Sequence, residues 1–130
     1  MVVKLSKIPV IASHSSCRKF TPGWQRNMSD DQLKALAKNG GVIQINFGST
    51  FLDSKIPEYN NKKRDELNDI LKKAGLKDSD AAAKPLIEEF GKKNPKLYAD
   101  VKTVADHIDH VVKLIGIDHV GIGSDFDGVG

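Results

Sequence analysis

Apolar residues along this chain fall into two kinds of pattern. Residues 8–14, IPVIASH, form an unbroken apolar run rich in β-branched side chains and closed by polar ones. That pattern predicts a strand buried on both faces, since a half-exposed strand would alternate. After Pro22 and Gly23 the sequence SDDQLKALAKNGG predicts a helix. Ser29 is placed to cap it, Gln32 three residues on completes a capping box, and Gly40–Gly41 end it. GVIQINFG (41–48) reads as a second strand. Further on, DVKTVADHIDHVVKLIG predicts a helix capped by Asp100 and ended by Gly116. Its apolar stripe runs through Val101, Val104, Ala105, Ile108, Val111, Val112 and Ile115 at helical spacing. HVGIGSD (119–125) is a third strand. Strand–helix–strand order implies parallel pairing through right-handed crossovers.

Residues 49–97 follow another rule. KIPEYNNKKRDELNDILKKAGL and DSDAAAKPLIEEFGKKNPK predict two charged amphipathic helices, a helical insertion over about residues 53–97 between the second and third strands. The lysine pairs Lys62-Lys63 and Lys72-Lys73 read as solvated helix faces rather than a binding patch. The expected architecture is therefore a parallel β-α-β-α-β unit of α/β class. Three parallel strands leave two open edges, so such a unit normally sits within a larger doubly wound sheet or a closed (β/α)8 barrel.

Composition narrows the function. The length of 130 residues fits one domain, and 39% hydrophobic with 28% charged residues is ordinary for a globular chain. A net charge of +3, with lysines interleaved among acids, lacks the concentrated basic stripe of a nucleic-acid binder. Cys17 is the only cysteine, which excludes an internal disulfide and a cysteine-based zinc site. No apolar run approaches the roughly 18 residues of a membrane span. The first residues also lack the charged start, apolar core and cleavage site of a signal peptide. A soluble chain is expected, and its compartment is left open.

Two candidate residues share one structural address. His14 ends the first strand and Asp125 ends the third. In a parallel α/β unit both project at the carboxyl edge, where active sites are built. Imidazole and carboxylate both ligate metals, and a carboxylate beside a metal can take a proton from water. The DHIDH cluster holds the same residue types, but a helix flanking the sheet points them elsewhere. There Asp106 and His110, one turn apart, are expected to form a solvent-side pair, with His107 at the edge of the apolar stripe. His119 opens the third strand at its other end and reads as structural. Arg26, on the loop leaving the first strand, suits a two-pronged hydrogen bond to a carboxylate. Cys17 lies too near His14 in sequence to form a nucleophile pair with it, and Gly121, Gly123 and Gly128 do not spell a phosphate loop.

Taken together, PVIASHSSCR, RNMSDDQLKALAKNGGVIQINF and DHIDHVVKLIGIDHVGIGSDFDG resemble the membrane (renal) dipeptidase family. The resemblance implies a (β/α)8 TIM-type barrel with two Zn2+ ions per active site, cleaving dipeptides by a metal-bridging hydroxide. It implies that His14 binds one zinc at the end of the sixth strand and that Arg26 holds the substrate's carboxyl end. Asp125, beyond the eighth strand, then handles the proton transfer. Gly121 and Gly123 fit a crowded barrel strand. The 130 residues would be a partial metallopeptidase domain covering strands six to eight, inactive alone, because the family's other zinc ligands lie upstream. The expected partner is a dipeptide, with no nucleic acid and no membrane segment; a homo-oligomer stays open. Two other classes compete, a non-catalytic α/β binding module and another amidohydrolase-type hydrolase.

Overall fold

The computed structural model describes residue 3 and residues 5–125. Two compact units emerge, one from Met1–Ser54 with Ala99–Gly130 and one from Lys55–Tyr98.

The first unit is α/β. Its strands β1 (Ile11–Ser15), β2 (Val42–Ile45) and β3 (Val120–Ile122) form a parallel sheet in the order β1-β2-β3. Helix α1 (Asp30–Lys38) links β1 to β2, α2 (Ser49–Leu52) follows β2, and α5 (Val101–Ile115) leads into β3. The capping box forms as the sequence predicts. Ser29 Oγ accepts from Gln32 N at 3.3 Å, and Gln32 Oε1 accepts from Ser29 N at 2.9 Å. Asp100 caps α5 by accepting from Thr103 N at 2.8 Å, and Gly116, at φ +96°, ends it.

The core lies under one face of β2. Ile43 and Ile45 are fully buried with Leu33, Leu36, Leu52, Val111 and Cys17, while Val42 and Gln44 are only half-buried. Each buried aliphatic side chain contributes about 1.5–3 kcal/mol. The β1 expectation needs correcting. The strand begins at Ile11, and Ile8 and Ile11 are 72% and 63% exposed. Among the described strands β1 pairs only with β2, and Ala12 and Ser15 are the residues that turn toward the core.

The register of β1 carries the feature that matters for function. Ala12 pairs with Ile43 and Ser15 with Ile45, so three steps along β1 match two along β2. The extra residue is a bulge at Ser13-His14, which breaks the alternation and leaves both side chains exposed.

The packing face of α5 also differs from the predicted stripe. Val101 is 85% exposed and Ala105 exposed, whereas His107 and Val111 are fully buried, flanked by Val104, Ile108, Leu114 and Ile115. The apolar pattern missed His107 because hydrogen bonds, not hydrophobicity, make its burial affordable.

The second unit contains α3 (Lys55–Lys73) and α4 (Lys84–Lys93), with Pro85 in the first turn of α4. Ile56, Leu71 and Ala83 form its buried apolar positions. Asn60 closes it, accepting from Leu97 N at 2.9 Å and donating to Leu97 O at 3.0 Å. Lys62, Lys72 and Lys73 face solvent, and Lys63 pairs with Glu66 on an open surface. No helix among the described residues is long and apolar enough to cross a membrane.

Candidate active site

His14 and Asp125 meet at the carboxyl edge of the sheet, with His14 Nε2 3.6 Å from Asp125 Oδ1. Each is fixed by a neighbour. Ser13 Oγ lies 2.7 Å from His14 Nδ1, leaving Nε2 turned to Asp125. Asn46 Nδ2 donates to Asp125 Oδ2 at 2.9 Å, leaving Oδ1 turned to His14. Beyond β3 the ladder continues as Gly123 N donates to Ile45 O at 3.0 Å. A Cβ on Gly123 would sit 2.5 Å from Ser13 O and 2.7 Å from Gln44 Cβ, so only glycine lets the chain pass this close. Gly121 is different, because a Cβ there meets nothing nearer than 3.6 Å; crowding does not require that glycine. Gly128 lies outside the described residues.

A separation of 3.6 Å is too long for a direct hydrogen bond. With the side chains 48% and 24% exposed, an ion pair there contributes little stability. The arrangement is instead a nitrogen and an oxygen donor facing each other, both partly open to solvent. By type they suit zinc, which takes imidazole nitrogen and carboxylate oxygen. By number they fall short, since no group of three His, Cys, Asp or Glu that could hold a metal ion occurs among the described residues.

Arg26 sits on a tightly built loop. Ser15 Oγ donates to Arg26 O at 3.2 Å, and Ser16 N donates to Asn27 Oδ1 at 2.9 Å. Fully buried Asn27 donates in turn to Thr21 Oγ1 at 2.7 Å and Phe51 O at 2.8 Å. The exposed guanidinium of Arg26 lies 5.7 Å from the centre of the Phe51 ring, which packs on Trp24 at 4.8 Å. Arg26 and His14 line one open depression of about 480 Å³ alongside β1, with Ser13, Gln25 and Gln32. Asp125 is not part of its wall; it approaches His14 from β3.

The remaining polar residues have structural partners. Cys17 N donates to His107 Nδ1 at 3.0 Å, and His107 Nε2 donates to Leu52 O at 2.8 Å. These partners fix the neutral Nε2–H form, and burial lowers the pKa of the ring despite the opposing bond to Leu52. His107 thus reaches the loops at the carboxyl edge rather than lying at the margin of its helix. The predicted Asp106–His110 pair does not form. His110 Nε2 meets Asp30 at 2.8 Å, and Asp106 takes Lys102 at 2.7 Å. A partner on α1 holds His110, at 11% exposure, better than a solvated carboxylate on its own helix. His119 Nδ1 donates to Gly41 O at 2.8 Å, a structural role as expected. Burial pushes the Cys17 thiol up to about 12, so it holds its proton and is no nucleophile.

Ser13, Asn27 and Asn46 hold the site together, and sequence reasoning did not single them out. A signal existed for Asn46. An asparagine ending the apolar run VIQIN is out of place in a strand unless its amide is hydrogen-bonded.

Comparison with known proteins bears on what this edge does. The chain matches the membrane dipeptidase family (peptidase family M19) over residues 1–130. It is 36% identical over 128 residues to dipeptidase verJ of Clonostachys rogersoniana, covering 98% of this chain and 22% of that protein. With an uncharacterized dipeptidase of Schizosaccharomyces pombe it shares 35% identity over 125 residues, 96% of this chain and 20% of the relative. Among solved structures, the probable dipeptidase PvdM from Pseudomonas aeruginosa superposes with a TM-score of 0.68 at 30% identity, covering 99% of this chain and 36% of that one. A Rhodobacter sphaeroides metallopeptidase, liganded with a phosphinate mimic of L-Ala-D-Ala, gives 0.61 at 28% identity, over 98% of this chain and 26% of that one. The chain thus spans about a fifth to a third of the length of the curated relatives it matches. With the whole of its length accounted for by one family, the chain belongs to the membrane dipeptidases, a family of peptide hydrolases.

Proposed function

We propose that these residues supply part of the active site of a zinc-dependent dipeptidase. In this reading β1 to β3 are the sixth to eighth strands of a (β/α)8 barrel, with Lys55–Tyr98 as a helical insertion before the last of them. The observation that carries it is the 3.6 Å approach of His14 and Asp125. Two residues 111 positions apart in sequence meet at the edge where such folds place catalysis.

His14 Nε2 is the donor that would hold zinc, with Ser13 fixing the ring through Nδ1. Zinc, when bound, supplies Lewis acidity that makes water a nucleophile near neutral pH. Asp125 Oδ1 takes the proton from the attacking water and returns it to the departing amine. Arg26 receives the substrate's free carboxylate, with the Phe51 ring centre 5.7 Å from its guanidinium. An arginine committed to a terminal carboxylate favours dipeptides, because a longer chain leaves it unpaired. The dipeptide mimic bound by the Rhodobacter sphaeroides relative supports the same substrate class. The reading assigns two zinc ions to the complete site, whose other ligands come from outside these 130 residues.

The test compares two proteins with a simple dipeptide and zinc. The isolated 130 residues are expected to turn over nothing. A family enzyme carrying this segment should be active and lose about 10²–10⁴-fold in kcat on Asp125→Asn. Turnover by the 130 residues alone, or full activity of D125N, overturns the proposal.

A further inference from the structure

The carboxylate of Asp125 is held from β2 rather than by its own strand. Asn46 is fully buried, and each polar atom of its side chain has one partner. Oδ1 accepts from Gly48 N at 2.6 Å, which fixes the orientation of the amide. Nδ2 then donates to Asp125 Oδ2 at 2.9 Å. The backbone of Asn46 is tied to the other side of the site, since its N donates to Ser15 O at 3.1 Å and its O accepts from Ser16 Oγ at 3.4 Å. Ser15 and Ser16 directly follow His14 in sequence. One residue therefore fastens both halves of the pair. Asp125 needs such a hold, because it has φ +53°, the only non-glycine residue with positive φ among those described. Aspartate tolerates that region, but the conformation persists only where surrounding contacts fix it.

We propose that Asn46 is a positioning residue for Asp125: its amide fixes Oδ2 so that Oδ1 faces His14, where the proposed proton transfer needs it. The inference rests on the proposed active site and names what keeps that site in register. Asn46 touches neither ion nor substrate, and acts through Asp125.

The experiment measures dipeptide hydrolysis, as kcat and KM with Zn2+ supplied, by a family enzyme carrying this segment. Wild type, Asn46→Ala, Asp125→Asn and the double variant are compared. N46A is expected to lower kcat by about 10-fold with KM little changed, and to have no further effect in the D125N background. Unchanged kcat in N46A overturns the inference. So does an equal loss in both backgrounds, which would mean that Asn46 acts only through the fold.

A second measurement covers the case in which N46A does not fold. The Asn46 side-chain amide signals of the wild type should move when Asp125 becomes asparagine. Amide signals identical in wild type and D125N overturn the tether. Failure of the proposed function looks different: D125N itself would then leave kcat unchanged, while the Asn46 signals still decide whether Asp125 is held.

Discussion

His107 makes the stability of this chain depend on pH in a direction its structure dictates. The ring is fully buried, packs 4.3 Å from the Phe20 ring centre, and accepts a hydrogen bond from Cys17 N at Nδ1. A proton arriving at Nδ1 would face the Cys17 N–H, so the folded state resists it. Burial is the main cause of the lowered pKa, with His110 adding to it; the Leu52 carbonyl, Asp106 and Asp53 oppose without prevailing. The unfolded chain therefore binds a proton near the ordinary value of 6.5 that the folded chain refuses. Stability is fully present above that pH and is lost as pH falls below it. For one proton the loss between about pH 7.5 and 5.5 reaches at most about 1.4 kcal/mol. The assay is urea unfolding across that range for wild type and His107→Gln. Glutamine offers an acceptor to Cys17 N and a donor to Leu52 O but does not titrate. H107Q should lose this part of the pH dependence. His107→Leu, by contrast, strands the Cys17 N–H and the Leu52 carbonyl, costing about 1–3 kcal/mol for each. Equal pH dependence in wild type and H107Q would refute the reasoning.

Other predictions follow from packing and local chemistry. Gly123→Ala should cost about 1–3 kcal/mol in urea unfolding, because Ser13 O and Gln44 Cβ block the new methyl group, while Gly121→Ala should stay within about 0.5 kcal/mol; equal effects would contradict the crowding. Ser29→Ala removes the reciprocal cap of α1 and should cost about 1 kcal/mol, with a fully wild-type midpoint arguing against the cap. The Cys17 thiol, pushed up to about 12 and fully buried, should alkylate only as fast as the chain opens. Rapid labelling without denaturant would show it to be accessible.

Local chemistry made much of the fold legible. The Ser29–Gln32 box, the Asp100 cap and the Gly116 stop each depend on neighbours within four residues, and all three form. The meeting of His14 with Asp125 followed from a general property of parallel sheets, whose strands all end at the same edge. Features that depend on distant partners were hidden. His110 meets Asp30 across 80 residues, and His107 binds the loop after β1 across 90. Neither choice is written in the spacing of its own helix. The bulge at Ser13-His14 was invisible for a related reason, since register exists only between two strands. The exposure of Ile11 departed from expectation because a continuous apolar run reports only the potential to be covered on both faces, and among the described residues only the face of Ala12 and Ser15 is covered.

The Asn60–Leu97 clasp has a kinetic consequence. β1 and β2 are joined by a short crossover, but β3 must be recruited after an excursion of 74 residues, from Ile45 to Val120. Closing a flexible loop costs entropy that grows with the logarithm of its length. If the excursion knots itself first, with residue 97 brought back to residue 60, the distance left to search shrinks before β3 docks. Loosening that clasp should then slow the arrival of Asp125 beside His14 more than it weakens the finished sheet.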